Sequence, residues 1–223
     1  MSLIIKEHLE SWYSFYDKDT IAKLDVLCQR LILSRQVKRV YPSNINMLRL
    51  FRWLPVEKIS CIVLAAEPHH DDNGNGFAFG CKHNIHPITA KVIESMREYI
   101  PEPTVSPIFR TADLTYLVQQ GVFLMNMSFT SEQGIPNAHK EHWEFFTKAT
   151  IEIINNNTDS VVWCLWGTQA KKYKKLIDNP SHYILEAKSP NDAVYQNYDW
   201  DCDNFLTVNE FLKQVNKREI QWR

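Results

Sequence analysis

An acidic residue, a proline and two histidines follow an apolar segment in the first third of the chain. The stretch VLAAEPHHDDNGNGFAFGC places Glu67 directly after the apolar run, with His69 and His70 close behind. A carboxylate beside histidines can orient water, stabilise a cationic transition state or move a proton. Taken alone, Glu67 could equally cap a turn or pair with a surface cation. The spacing therefore marks a candidate site and leaves its chemistry open.

Similar changes from apolar to polar residues occur at three later points. Asn126 lies inside GVFLMNMSF, the pair Gly167-Thr168 follows SVVWCLW, and the tripeptide 188–190 follows HYILEA. An asparagine within an apolar run must find hydrogen-bond partners or destabilise the fold, so Asn126 is predicted to be functional. Phe79, in contrast, would be interpreted as a core residue if its local sequence were considered alone.

The elements that must position these residues alternate between strand and helix. Continuous apolar runs, typical of parallel strands buried on both faces, occur at 59–66, 121–129, 160–167 and 182–188. Helical spacing occurs at about 5–35, 88–100, 142–156, 168–178 and about 204–216, and 40–46 is predicted as a loop. This pattern predicts an α/β fold, a three-layer α/β/α sandwich with a central, mostly parallel four-stranded sheet, as one domain over 1–223. Because ligands bind outside the carboxyl ends of such strands, the candidate residues are predicted to share one cleft.

Composition narrows the class of protein. The 223 residues carry a formal charge of −1, with 44% hydrophobic and 23% charged residues, which excludes a basic coat over the whole surface but not a local basic face. Five scattered cysteines, no signal-peptide pattern and no apolar run of membrane-spanning length predict a soluble intracellular protein without a membrane partner. Its compartment would be the cytoplasm, or the nucleus or a viral replication site. The histidine pairs lack metal-site spacing, so no metal is predicted.

Four segments in order resemble the uracil-DNA glycosylase family. They are LFRWLPVEKISCIVLAAEPHH with GFAFGC, GVFLMNMSFT with the helix after it, VVWCLWGTQAKKYKKLID, and REIQW, spanning about 40 to 222. Each is weak evidence alone, but four in order with matching separations are specific. The resemblance implies a DNA glycosylase that flips a nucleotide out of the helix and hydrolyses the N-glycosidic bond of uracil or a modified pyrimidine, without metal or cofactor.

The resemblance also implies residue roles. Glu67 stands at the catalytic carboxylate, and Lys188 is the candidate cation near the leaving base. Base-binding positions are Ala66, His69, Phe79 and Asn126. DNA-binding positions are Pro42, Ser43, Pro68, His70, Gly167, Thr168, Ser189, Pro190, Val194 and Tyr195. The implied partner is single- or double-stranded DNA, bound by a monomer, with phosphates along 171–175, Lys188 and Arg110. The resemblance leaves open whether the chain also binds a protein partner.

The chain departs from the family pattern where the chemistry is expected. The family's aspartate is Glu67 here, its Gly-Gln pair is 65–66, both alanine, and its methyl-excluding tyrosine is His69. The family's histidine and intercalating leucine are absent from the loop around 188–192. Val194 or Tyr195 is therefore the candidate wedge, the side chain that enters the base stack where the flipped nucleotide has left it. Two hypotheses therefore stay open: an enzyme for uracil or a modified pyrimidine, or an impaired homologue that binds DNA or a partner. A metal-dependent hydrolase is a distant third.

Overall fold

The computed structural model describes residues 2–99 and 112–222. The strands are β1 (Val40–Tyr41), β2 (Cys61–Ala65), β3 (Val122–Asn126), β4 (Ser131–Glu132), β5 (Val162–Trp166) and β6 (Tyr183–Ala187). Four of them form a parallel sheet in the order β3-β2-β5-β6, flanked by helices, and β1 pairs with β4 in a separate antiparallel ladder. The predicted α/β sandwich with a four-stranded sheet is therefore confirmed, and each predicted apolar run contains one strand of the sheet.

Ten α-helices occur in the described part of the chain. They are α1 (Ser2–Leu9), α2 (Lys18–Ser34), α3 (Asn44–Met47), α4 (Arg49–Trp53), α5 (Pro87–Tyr99), α6 (Thr115–Val118), α7 (Lys140–Asn157), α8 (Thr168–Lys171), α9 (Pro190–Tyr195) and α10 (Asn204–Gln214). Three 3-10 segments span Glu10–Phe15, Val56–Lys58 and Lys172–Leu176. Among the described helices none is both long and apolar enough to cross a bilayer.

Three predicted boundaries need correction. The helical segment 5–35 is broken, because Asp17 caps α2 by accepting a hydrogen bond from the backbone N–H of Thr20 at 2.8 Å. The predicted loop 40–46 contains β1, whose partner β4 is about ninety residues away and therefore invisible to a local pattern. The predicted helix 168–178 is only one α-helical turn followed by a 3-10 segment.

Burial explains why the sheet forms from these runs. Every residue of β2, β3 and β5 is buried, whereas the edge strand β6 is partly exposed. The N-terminal helical segment packs on the sheet through Trp12, whose ring stacks on Phe123 at 5.1 Å and whose Nε1 donates to the Leu54 carbonyl. The chain's closing segment packs through Trp222 against Phe205 on α10. Both ends of the described chain are therefore packed into the core by tryptophan side chains.

Candidate active site

A cavity of about 440 Å³ lies where the strands of the sheet end. Ala65 at the end of β2, Trp166 at the end of β5 and Met127 just after β3 contribute to its wall. The volume falls in the range of small-molecule sites. The cavity brings together many of the predicted site residues: Ala66, Glu67, Pro68, His69, His70, Phe79, Gly167, Thr168, Ser189 and Tyr195.

Glu67 is held in place by hydrogen bonds from two sides. Both carboxylate oxygens accept from the backbone N–H of Asn137, at 2.9 and 3.0 Å, and Oε1 lies 2.9 Å from Nε2 of His70. Only 10% of the Glu67 side chain is exposed. Asn137 has a φ of 60°, a left-handed conformation that few non-glycine residues adopt. The loop after β4 therefore fixes a negative charge at the cavity wall.

Phe79 presents an aromatic ring to the same cavity. Its ring packs against Trp166 with centroids 5.8 Å apart and planes tilted by 35°, and the residue is 9% exposed. Its φ of 63° is strained for a bulky residue, and Oγ1 of Thr89 donates to its carbonyl at 2.6 Å. Backbone strain of this kind clusters at ligand sites, where the surrounding structure maintains it.

His69 is a neutral, partly buried histidine. Its ring stacks on His86 with centroids 4.1 Å apart, and its Nε2 lies 3.4 Å from Oγ1 of Thr89 and 3.5 Å from Sγ of Cys81. Burial, and then the charge of His86, lower the pKa of His69 to about 4. Near neutral pH this position of the wall therefore carries no positive charge.

The low pKa of His69 makes the fold sensitive to acid. The folded state binds fewer protons than the unfolded chain, so the contribution is fully present above about pH 6.5 and is lost as the pH falls towards about 4. From about pH 7.5 to about pH 5 the expected loss is about 2 kcal/mol of unfolding free energy. Urea unfolding of the parent and of His69→Asn at both pH values measures it. Equal acid sensitivity in the two proteins would contradict the assignment.

Asn126 ends β3 and is buried. Its Oδ1 has no hydrogen-bond partner within the described residues, and an unpaired buried acceptor costs about 1–3 kcal/mol. Asn126 does not itself line the cavity, but it pairs with Ala65 across the sheet and precedes Met127, and both of these residues do. Its base-binding role stays a prediction, and the unpaired oxygen supports it.

The loops that follow β5 and β6 are packed closely together. Gly167 has a φ of 92°, and a Cβ there would approach the Cβ of Ser189 to 2.9 Å, so a side chain would push the loops apart. Ser189 is the N-cap of α9, and its Oγ accepts a hydrogen bond from the backbone N–H of Asn191 at 3.2 Å. The glycine therefore keeps this side of the cavity closed.

Curated proteins show similarity to the chain over most of its length. It is 32% identical over 194 residues to the uracil-DNA glycosylase of Francisella philomiragia, covering 83% of this chain and 86% of that protein. The uracil-DNA glycosylase of Aliarcobacter butzleri is 32% identical over 188 residues, with coverages of 82% and 86%. The chain belongs to the uracil-DNA glycosylase family. No family model matches it.

Solved structures show the same fold. The crystal structure of mimivirus uracil-DNA glycosylase has a TM-score of 0.78 at 22% identity and covers 95% of this chain and 85% of that chain. A mimivirus variant in complex with UGI has a TM-score of 0.79 at 20% identity, with coverages of 96% and 88%. The enzyme from Nitratifractor salsuginis has a TM-score of 0.58 at 15% identity, with coverages of 92% and 95%.

The predicted catalytic role of Lys188 stays a prediction, and the cavity that holds Glu67 does not support it. The Lys188 side chain does not line that cavity. Lys188 lines an adjoining pocket of about 260 Å³, and Nζ lies over the Tyr198 ring, 5.2 Å from the centroid. The residue follows the last position of β6, and its carbonyl accepts a hydrogen bond from Trp200 Nε1 at 2.9 Å, which fixes the backbone there. The chemistry proposed below therefore assigns no step to Lys188.

Other predicted DNA-binding residues also lie away from the cavity wall. Pro42 and Ser43 lie between β1 and α3, Pro190 is buried, and Val194 packs partly buried against the core. Tyr195 reaches the cavity and is 79% exposed, which suits the predicted wedge better than Val194 does. Arg110 lies outside the described residues. The DNA-binding roles of these residues stay predictions.

Several lining residues were not found from the sequence. They are Asp71, His86, Ile88, Met127, Pro136, Asn137, Trp166, Gln169, Asn191 and Asp192. Asn137 is the most important of them, because its contact with Glu67 spans seventy positions and leaves no local pattern. The sequence pattern indicates only that Trp166 belongs to an apolar strand, and not that it lines a site. Among the described residues, no group of three metal-ligating side chains is placed to hold an ion.

Proposed function

We propose that this chain excises uracil from DNA by hydrolysing the bond between the base and the sugar. The observation that carries the proposal is the fixed carboxylate of Glu67 in the cavity at the strand ends, in a chain that belongs to the uracil-DNA glycosylase family. Because the glycosidic bond cannot be reached inside a duplex, the nucleotide must leave the base stack and enter this cavity. The cavity forms within one chain, which supports action as a monomer on single- or double-stranded DNA.

Glu67 supplies the charge that the reaction needs. As the bond between C1′ and the base nitrogen breaks, its electron pair leaves with the base and the sugar becomes cationic. A carboxylate fixed beside that cation stabilises it, and its free lone pairs accept a hydrogen bond from the attacking water. The water oxygen then bonds to C1′ and a proton is released. Asn137 and His70 prevent the carboxylate from turning away.

Residues other than Glu67 hold the base. The face of Phe79 stacks on the pyrimidine, since its ring is already fixed against Trp166. Asn126 adjoins the wall residues Ala65 and Met127, and its side chain would turn towards the bound base so that the unpaired Oδ1 accepts an N–H from the base edge. Neutral His69 limits the space beside the ring. These three roles are part of the proposal and rest on burial, ring geometry and the resemblance.

Oligonucleotides carrying uracil or a panel of modified pyrimidines test the function directly. After incubation with the protein, alkaline cleavage reports abasic sites. We expect cleavage at uracil. Because His69 replaces a larger aromatic residue, we also expect measurable cleavage at 5-substituted pyrimidines, and His69→Tyr should lower that cleavage by roughly 10-fold or more relative to uracil. DNA binding without abasic sites at any base would support the impaired homologue instead. The same ranking of bases in both proteins would remove His69 as the residue that sets specificity.

Binding to DNA is expected to depend strongly on salt. The proposed contacts are mainly to phosphates, so affinity should fall steeply as salt rises from about 50 mM to about 200 mM. Fluorescence anisotropy with single- and double-stranded oligonucleotides measures this slope. Affinity that does not change with salt would exclude a phosphate-based interface.

The proposed location follows from the substrate. All five cysteines are free and buried, which suits a reducing compartment. A protein that acts on DNA belongs in the cytoplasm, the nucleus or a viral replication site. Fractionation of the source cells, with detection by an antibody, tests this.

A further inference from the structure

A second cavity of about 510 Å³ adjoins the one that holds Glu67. The two share four wall residues: Ala66, Met127, Asn137 and Gln169. The rest of the second wall is strongly charged, with the lysines Lys140, Lys148, Lys172 and Lys175 and the glutamates Glu141 and Glu144. Positive charges therefore outnumber negative ones directly beside the proposed active site.

Two of these lysines converge on a single neutral atom. Oε1 of Gln169 accepts from Nζ of Lys140 at 2.8 Å and from Nζ of Lys172 at 3.1 Å. Within residues 2–99 and 112–222, neither lysine belongs to an ion pair, and nearby Glu144 pairs instead with Lys148 at 2.7 Å. Two ammonium groups that meet at one amide oxygen repel each other, and an anion placed between them would relieve that repulsion.

The same lysines are connected to the catalytic carboxylate by the backbone. The N–H of Asn137 binds Glu67, and the carbonyl of Asn137 accepts the N–H of Lys140 at 3.2 Å. Lys140 is also the first residue of α7. An anion held by Lys140 would therefore restrain the same short loop that positions Glu67.

We propose that Lys140 and Lys172, aligned by Gln169, clamp one phosphate of the DNA strand next to the flipped nucleotide. The inference rests on the proposed function, which places a DNA strand at the mouth of the first cavity. Each ammonium has three N–H donors, and a phosphate offers several acceptors to both at once. The clamp holds the strand in register and orders the 137–140 loop beneath the sugar.

Methylphosphonate oligonucleotides test the clamp one phosphate at a time, since each replaces a charged phosphate with a neutral group. The variants are Lys140→Gln and Lys172→Gln. Lys23→Gln is the matched control, because Lys23 is on α2, lines neither of the two cavities and pairs with Asp19, four residues earlier, at 2.6 Å. We expect each clamp variant to lower kcat/KM for uracil by roughly 5- to 10-fold and the salt slope of binding by about 1, with no change in the control.

The decisive result is the methylphosphonate position in the oligonucleotide at which the losses of kcat/KM and of affinity disappear. At one methylphosphonate position, the same for both clamp variants, parent and variants should bind and react alike, while every other position keeps the difference. Losses that are equal at all positions, or no larger than those of Lys23→Gln, would overturn the clamp. Binding isotherms compare the DNA affinities of parent and variants at the same positions, and they do not depend on catalysis. If the parent releases no uracil, the proposed function fails, while the isotherms still decide whether the clamp exists.

Discussion

Replacing Glu67 with glutamine is expected to lower the rate of uracil excision by about 1,000-fold or more, with DNA affinity nearly unchanged. The substitution keeps the size of the side chain and its contact with the Asn137 N–H, but it removes the negative charge that stabilises the cationic sugar. Loss of one fixed electrostatic contact at a transition state typically costs about 100- to 1,000-fold, and loss of a full charge should cost more. Single-turnover excision beside a binding isotherm on the same oligonucleotide measures both quantities.

Two further variants separate charge from placement. Glu67→Asp keeps the charge but shortens the side chain, so the carboxylate cannot hold the same contacts with Asn137 and His70. We expect activity between those of the parent and Glu67→Gln, because misplacement by about 1 Å costs roughly 100-fold. His70→Gln tests the second contact in the same way. Unchanged excision in Glu67→Gln would show that another group supplies the charge.

Replacing Phe79 with leucine is expected to lower kcat/KM for uracil by roughly 10- to 100-fold. Leucine retains apolar packing against Trp166 but offers no flat face, and stacking of a base on an aromatic ring is worth about 1–3 kcal/mol. Phe79→Tyr is the control, since it keeps the ring. Both side chains must adopt the same positive φ, so backbone strain cancels between the two variants.

Thermal unfolding of the two variants provides the structural check. The excision loss of Phe79→Leu should exceed any change attributable to its stability, and Phe79→Tyr should retain most activity. If both variants lose activity equally, the ring is a packing element and not the surface on which the base stacks.

The sheet could be predicted because its signal is local. The runs around β2, β3 and β5 are apolar throughout, as strands covered on both faces must be. The β1–β4 ladder and the break between α1 and α2 could not be predicted in this way. The first depends on a partner far along the chain, and the second on a cap at Asp17 within a continuous helical spacing.

Two kinds of site residue could be predicted: those that follow a strand closely, and those such as Phe79 and Tyr195 that only the family resemblance indicates. Glu67 and the pair Gly167-Thr168 lie at strand ends and reach the cavity, as the parallel topology requires. Asn137 approaches Glu67 from a separate loop, and no spacing in the sequence indicates that contact. Adjacency to a strand end did not by itself bring the Lys188 side chain to the wall of this cavity, so its catalytic role stays a prediction.

Hydrolysis of uracil-containing DNA in water enriched with oxygen-18 tests the central claim most directly. Mass spectrometry would follow the free base and the abasic sugar from the same reaction. If Glu67 stabilises the cationic sugar while water attacks C1′, free uracil without oxygen-18 and abasic sites should appear in equal amounts, and Glu67→Gln should form both far more slowly than the parent. Absence of free uracil at every protein concentration, with DNA still bound, would contradict the account.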